Sequence, residues 1–341
     1  MSGPLFSIVV TAYNQAPFLG AMLRSIEDQT YRDFELIVVD DGSVDETLLV
    51  LRAWRQRFVR TEPNRVVLDR IENGGQSAAL EHGFGLVTGR YVCLLDADDL
   101  FVPWKLECLA AAALEDPEAG MLVHPMYVVD EGGTRTGDVR PKAARLAHGD
   151  LRAQVRRDAR TAVPGTSAIT LRADLLGRML PMPTRNVKTM ADAYLPLAAS
   201  LLAPVYVVPE PLTEYRMHQD GAHLRSLVSP AGLAAWLDVQ WAVARHLGIE
   251  AGMRRNPTYA RNAFVLARLT RGWVEGLFKY PRLAAATLGD SAFGAARRLQ
   301  LLAWWTLLAC SPQELFERQW RWFLERMAGA ASVPELGRQH G

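Results

Sequence analysis

Leu94-Leu95-Asp96-Ala97-Asp98-Asp99 is an apolar strand that stops on three carboxylates within four positions. Like charges at this spacing repel, and an apolar strand tip offers little water to relieve them. A divalent cation does relieve them. Hard ions such as Mg2+ and Mn2+ take oxygen ligands and commonly share them with substrate phosphates. The same acids also suit the start of a helix expected near Trp104, where Asp is favoured. The flanking sequence decides between the two readings and sets the fold.

On either side of this stretch, short β-branched runs alternate with helical patterns. Phe6–Thr11 and Phe34–Val39 read as buried strands, with helical patterns from Pro17 to Gln29 and from Asp45 to Phe58. Arg65–Ile71 reads as a third strand, Gln76–Val87 as a third helix and Tyr91–Leu95 as a fourth strand. This order predicts an α/β fold: a Rossmann-like, mostly parallel sheet with helices on both faces. Such sheets bind ligands beyond the carboxyl ends of their strands. Three strand ends here carry polar groups: Thr11-Ala12-Tyr13-Asn14, Asp40-Asp41-Gly42-Ser43 and the Asp96–Asp99 cluster. They are expected to converge on one edge.

Further along, Met121–Val129 reads as one strand, Glu131-Gly132-Gly133-Thr134 as a hairpin turn, and Pro164-Gly165-Thr166-Ser167 equally as a strand entry or as small polar groups lining a ligand groove. Arg140–Arg160 is polar and basic, a loop or a surface helix. Met190–Leu195 starts a helix, Val205–Val208 is a short strand, and from about Pro230 the pattern is almost purely helical. Two domains are predicted, residues 1–228 and a helical C-terminal extension, 229–341.

Composition narrows the function classes. The 341 residues carry a net charge of +1, so nothing global attracts nucleic acid. Cys93, Cys108 and Cys310 lack pairing or zinc spacing and read as reduced, buried thiols. No basic, cleavable leader precedes Phe6. The longest apolar run near the end, Leu299–Cys310, is well short of the ~20 residues that span a bilayer. The expected location is cytoplasmic, free or peripheral at the inner face of the cell membrane. Between Arg254 and Arg298 nine basic residues, against Glu275 and Asp290, are interleaved with Trp, Phe and Tyr. That pattern suits a membrane surface, or a helical subdomain or homo-oligomer contact with its aromatics packed inward.

Four motifs are decisive together: Ser7-Ile8-Val9-Val10-Thr11-Ala12-Tyr13-Asn14, Asp40-Asp41-Gly42-Ser43-Val44-Asp45, Asn73-Gly74-Gly75-Gln76 and Leu95-Asp96-Ala97-Asp98-Asp99. In order and spacing they resemble glycosyltransferase family 2, whose members have the GT-A fold. The resemblance continues more weakly through Asp192 and Tyr215-Arg216-Met217-His218. It implies a metal-dependent, inverting glycosyltransferase. Such an enzyme moves a sugar from a nucleotide-diphospho-sugar, here UDP- or dTDP-linked, to a hydroxyl of a glycan or lipid-linked saccharide acceptor, in cell-surface polysaccharide biosynthesis.

On that resemblance Asp98 is a ligand of Mg2+ or Mn2+, Asp96 and Ala97 lie at the nucleotide, and Asp99 supports them. Thr11, Ala12, Tyr13, Asn14 and Asp41 hold the nucleoside, with Asp40 in support. The ring of Tyr13 can stack on a base, worth about 1–3 kcal/mol. Gln76 is expected to make a polar contact beside Gly74-Gly75, although this chain has Ala79-Leu80-Glu81 where many relatives carry a basic residue. Asp192 matches the family's general base, which removes the acceptor hydroxyl's proton; an acid in the first turn of a helix is also favoured by the helix dipole. Arg216 is expected to support the diphosphate and His218 the metal shell, although Gly221 stands where relatives have Asn. Two alternatives remain. A nucleotidyltransferase usually needs a Gly-rich cationic loop, and Thr11-Ala12-Tyr13-Asn14-Gln15 has no cation. A degenerate relative that binds nucleotide-sugar without turnover is opposed by the retention of Asp96, Asp98 and Asp192.

Overall fold

The computed structural model describes residues 4–58, 65–161, 164–183, 191–218, 229–290 and 293–328. The chain divides into two units, Met1–Ala153 with Thr161–Met217, and Gln154–Arg160 with His218–Gly341. The boundary expected at 228 lies outside the described residues.

The first unit begins β1 (Phe6–Ala12), α1 (Ala16–Glu27), β2 (Phe34–Asp40), α2 (Thr47–Phe58), β3 (Val66–Arg70), α3 (Gln76–Phe84) and β4 (Tyr91–Asp96). It continues with β5 (Leu100–Phe101), α4 (Lys105–Glu115), β6 (Met121–Val123), β7 (Met126–Val129), β8 (Arg135–Arg140) and α5 (Arg152–Asp158), whose last turns belong to the second unit. Then come β9 (Ile169–Arg172), α6 (Leu176–Met179), α7 (Ala191–Leu202), β10 (Val205–Val207) and β11 (Thr213–Arg216). Seven strands form one sheet, ordered β10-β6-β9-β4-β1-β2-β3, and β5-β11-β7-β8 form a second. β1, β2 and β4 are buried almost throughout, which is why they read as continuous apolar runs. α1 lays Leu19, Met22, Leu23 and Ile26 inward at helical spacing, and Trp54 stacks on Phe58 with ring centroids 4.6 Å apart at the end of α2.

Met121–Val129 is two strands rather than one. The break falls at His124-Pro125, where proline has no N–H to continue a ladder, and the halves enter different sheets. The Gly132-Gly133 turn does join an antiparallel hairpin, β7 to β8. Thr166–Ala168 forms one 3-10 turn before β9, which runs antiparallel between β4 and β6. Among the cysteines only Cys93 is fully buried; Cys310 is exposed, against expectation.

At that break His124 is fully buried, with Nδ1 2.7 Å from the Pro125 carbonyl and Nε2 without a hydrogen-bond partner. Burial, with the Lys105 charge nearby, holds its pKa well below the usual value of about 6.5. The folded imidazole therefore stays neutral while the unfolded chain takes up a proton as pH falls through about 6.5, so this contribution to stability is lost on the acid side. The melting midpoint is expected to fall from pH 7 to pH 5, and to fall less in His124→Asn. Parallel midpoint-against-pH curves for the two proteins would contradict this.

The second unit contains α8 (Pro230–His246), α9 (Glu250–Arg255), α10 (Pro257–Leu288), α11 (Ala295–Cys310) and α12 (Gln313–Ala328). Ser229 and Asn256 cap α8 and α10 by accepting from Gly232 and Tyr259 N–H groups, each with proline at the first helical position. α10 is interrupted at Gly272 (φ 76°, ψ −160°). Trp305 and Phe316 meet Phe264 edge-on at 6.1 and 6.0 Å, whereas Trp273, Phe278, Leu307 and Trp322 are exposed. No described helix is long and apolar enough to cross a membrane.

Candidate active site

Strand pairing brings the polar strand ends together. The parallel register sets Ala12 beside Asp40 and Thr11 beside Asp96, and Arg70 beside Asp40. β2 and β3 follow β1 on one side while β4 lies on the other, so strand order reverses about β1. A crevice beyond the carboxyl ends at such a reversal is where open α/β sheets take ligands.

The turns after β1 and β2 are stapled to each other. Asn14 adopts a left-handed φ of 53°. Its N–H donates to Ser43 Oγ at 3.0 Å, and its Oδ1 accepts from Val44 N–H at 2.9 Å. Gln15 N–H donates to Thr47 Oγ1 at 2.8 Å. Asn14 is thus a strut between two loops, while neighbouring Tyr13 leaves its ring 45% exposed and open to a ligand. Ala12 is buried at the end of its strand and Thr11 half-buried.

Asp40 and Asp41 divide the labour at the end of β2. Asp40 is fully buried; its Oδ1 accepts from Ser43 N–H at 3.0 Å, and Arg70 Nε lies 3.3 Å from Oδ2. Asp41 Oδ1 and Oδ2 accept from the N–H groups of Gly74 and Gly75, each at 2.8 Å. These charge-assisted bonds fix the Gly74-Gly75 turn and leave lone pairs on the carboxylate for a nucleoside. Gly42 is required there: its φ is +72°, and a Cβ would stand 2.8 Å from Asn73 N. Gln76, first residue of α3, donates from Nε2 to Asp96 Oδ1 at 2.8 Å and so ties this turn to the acid cluster.

The acid tip of β4 is held from two directions. Asp96 N–H donates to Ser167 Oγ at 3.0 Å, and Asp99 N–H closes back onto Asp96 O at 3.1 Å around buried Ala97. Asp99 is buried and accepts from Arg216 N–H at 2.9 Å. Burial pushes its carboxyl well above the usual range, and the charges of Asp98 and Asp96 push the same way. Arg216, expected beside the diphosphate, does something else. Its buried guanidinium donates to the main-chain carbonyls of Asp98 (2.9 Å) and Glu131 (2.6 Å), so it holds the backbone of the tip.

Asp192 is the second residue of α7, in its first turn as expected, but its side chain lies outside the described part of the structure. His218 opens the second unit. Two groups were missed from sequence, Lys105 and Thr213; beneath the tip they meet Ser167, which was read as a groove lining or a strand entry. Lys105 falls on the buried stripe of α4 with Leu109 and Ala112, a spacing that marks it as inward-facing.

Residues 7–175 match the family model described as Glycosyl transferase family 2. These residues are a glycosyltransferase family 2 domain. An uncharacterised glycosyltransferase of Nostoc sp. is 26% identical over 219 residues, covering 64% of this chain and 66% of its own length. A PGL/p-HBAD biosynthesis glycosyltransferase of Mycobacterium bovis is 34% identical over 137 residues, covering 40% and 52%. The matched stretches thus fall short of two thirds of these relatives' length. Among solved structures, S. aureus TarS in complex with UDP aligns with TM-score 0.57 at 18% identity, covering 93% of this chain and 91% of that one. The mannosyltransferase PcManGT of Pyrobaculum calidifontis, in complex with GDP-Man and Mn2+, aligns with TM-score 0.51 at 22% identity, covering 96% and 86%. At these identities the likeness is one of fold, and the fold is GT-A.

The acid tip of this family 2 domain suits a hard dication. Asp96 and Asp98 offer oxygen donors, and after burial itself their two charges are what raises the Asp99 carboxyl. Among the described residues no group of three or more His, Cys, Asp or Glu side chains is placed to hold a metal ion by itself. Mg2+ characteristically binds through one or two carboxylates and completes its shell with substrate phosphates and water.

Proposed function

We propose that this chain transfers a sugar, with inversion, from a nucleotide-diphospho-sugar to a hydroxyl of a glycan or lipid-linked saccharide, in cell-surface polysaccharide biosynthesis. The observation that carries the reading is the register of β1, β2 and β4, which gathers Thr11, Tyr13, Asp41 and the Asp96–Asp99 tip at one strand-order reversal. UDP- or dTDP-linked donors are favoured, in keeping with the UDP bound to TarS.

Tyr13 stacks on the base, and Thr11, Ala12 and Asp41 contact the nucleoside, held in place by the Asn14 strut. Asp96, oriented by Gln76, meets the ribose beside Ala97. Asp98 would hold Mg2+ or Mn2+, which as a Lewis acid would neutralise charge developing on the departing diphosphate. Asp192 accepts the acceptor hydroxyl's proton as that oxygen bonds to the anomeric carbon from the face opposite the leaving group. The bond from the anomeric carbon to the diphosphate oxygen breaks, and the nucleoside diphosphate leaves with that electron pair. Asp99, Asp40 and Arg216 do not meet substrate; they fix the loops that do. The exposed Trp273 and Phe278, on α10 after its break at Gly272, are the residues we assign to an anionic membrane surface on the cytoplasmic side.

A thermal-shift panel of nucleoside diphosphates, with and without Mn2+, tests the reading. A ligand at 100 times its Kd adds about 2.7 kcal/mol to the native state. UDP or dTDP is expected to raise the midpoint by several degrees, and more with Mn2+ present. A midpoint unmoved by every nucleotide, with or without metal, would overturn the proposal.

A further inference from the structure

Lys105 is a cation with no exposed surface, in the first turn of α4 beneath the acid tip. Its Nζ donates to the Ser167 carbonyl at 2.8 Å and to Thr213 Oγ1 at 3.0 Å, and lies 3.6 Å from the centroid of the Phe101 ring. Thr213 Oγ1 in turn donates to the same Ser167 carbonyl at 3.0 Å. The ammonium thus closes a three-membered knot that immobilises Ser167. The Ser167 hydroxyl is the group that takes the Asp96 N–H, and it draws the raised Asp99 carboxyl back down. Thr213 sits on β11, the strand whose Arg216 holds Asp99 from its N–H and Asp98 from its guanidinium. Every acidic residue of the tip is therefore reached from one buried cluster, all of it within the first unit.

A buried cation is kept only where it is paired and hydrogen-bonded. Burial lowers the Lys105 pKa to about 7, while the charges of Cys93 and Asp99 pull it back up. Core stability alone is met as well by a Leu or Met on this stripe of α4; what an apolar residue cannot do is donate to Ser167 and Thr213.

We infer that Lys105 is a positioning residue for the acid tip: it locks the Ser167–Thr213 pair, and through the Ser167 hydroxyl it sets the geometry of the tip from which Asp98 meets a dication. The inference rests on the metal reading of Asp98 for its consequence, but its structural half stands on the metal-free protein.

The test uses Lys105→Met, which keeps length and volume and removes the donors, with Thr213→Val and Thr213→Ser beside it. Two readouts are taken: amide hydrogen exchange at Asp96 without metal, and Mn2+ affinity by electron paramagnetic resonance without nucleotide. Lys105→Met is expected to speed Asp96 exchange relative to the β1 amides and to weaken Mn2+ binding at least about tenfold, the usual scale for loss of a group that orients metal ligands. Thr213→Val should move both readouts the same way, and Thr213→Ser should restore them. Where Lys105→Met does not fold, the Thr213 pair makes the same comparison. A lower melting midpoint with Mn2+ affinity unchanged and Asp96 exchanging in step with β1 is the signature of packing alone and overturns the inference. Asp98→Asn separates the two levels. If it leaves Mn2+ affinity unchanged, the metal reading fails, and the exchange data still decide whether Lys105 holds the tip.

Discussion

Asp98→Asn is expected to lower sugar transfer by about a thousandfold or more while leaving the fold intact. A Lewis acid at a departing diphosphate supplies several kcal/mol of transition-state stabilisation, and each 1.36 kcal/mol is about tenfold in rate. The fold should tolerate the change because Asp98 contributes its main-chain carbonyl, not its carboxylate, to the Arg216 bond. Removing one of three neighbouring negative charges also relieves the repulsion that raises Asp99. The melting midpoint without metal should therefore stay level or rise while turnover collapses. Turnover within tenfold of the unaltered protein would remove Asp98 from the mechanism.

Asp192→Asn is expected to behave differently: donor binding retained, kcat reduced by about 10²–10⁴, the usual contribution of a general base. Asn removes the proton acceptor at nearly constant shape, and a charge in the first turn of a helix is worth about 0.3–1 kcal/mol, too little to unfold the protein. The signature is a fall in kcat with donor affinity, read by calorimetry, unchanged. An unchanged kcat would exclude Asp192 as the base, and loss of donor binding would move it into the donor pocket.

The parts of this site legible in sequence are those where a local pattern and a tertiary requirement coincide. β1, β2 and β4 are buried on both faces, so their burial writes itself as uninterrupted apolar runs, and the acids that end two of them stand out by contrast. The need for glycine at 42 shows only in the structure, where its φ is +72° and a Cβ would stand 2.8 Å from Asn73 N. Arg216 was not legible either. A Tyr-Arg pair near a strand end reads the same whether the guanidinium meets phosphate or the carbonyls of Asp98 and Glu131, and only the folding of β11 against the tip decides it. Lys105 was missed for a related reason: charge suggests solvent, and only its position on the stripe with Leu109 argues otherwise. Met121–Val129 was read too simply, since Pro125 already marked the break. In the helical unit the aromatics divide, with Trp305 and Phe316 turned inward and Trp273 and Trp322 exposed, a split that their spacing in sequence does not reveal.

The central claim is that a dication links the carboxylates at the end of β4 to a diphosphate. Calorimetric titration of UDP into the protein, with and without Mn2+, measures that link as a coupling between two ligands. The account predicts UDP affinity at least about tenfold higher with Mn2+, a gain that disappears in Asp98→Asn. Equal UDP affinity with and without the metal, or a gain that survives in Asp98→Asn, would contradict it.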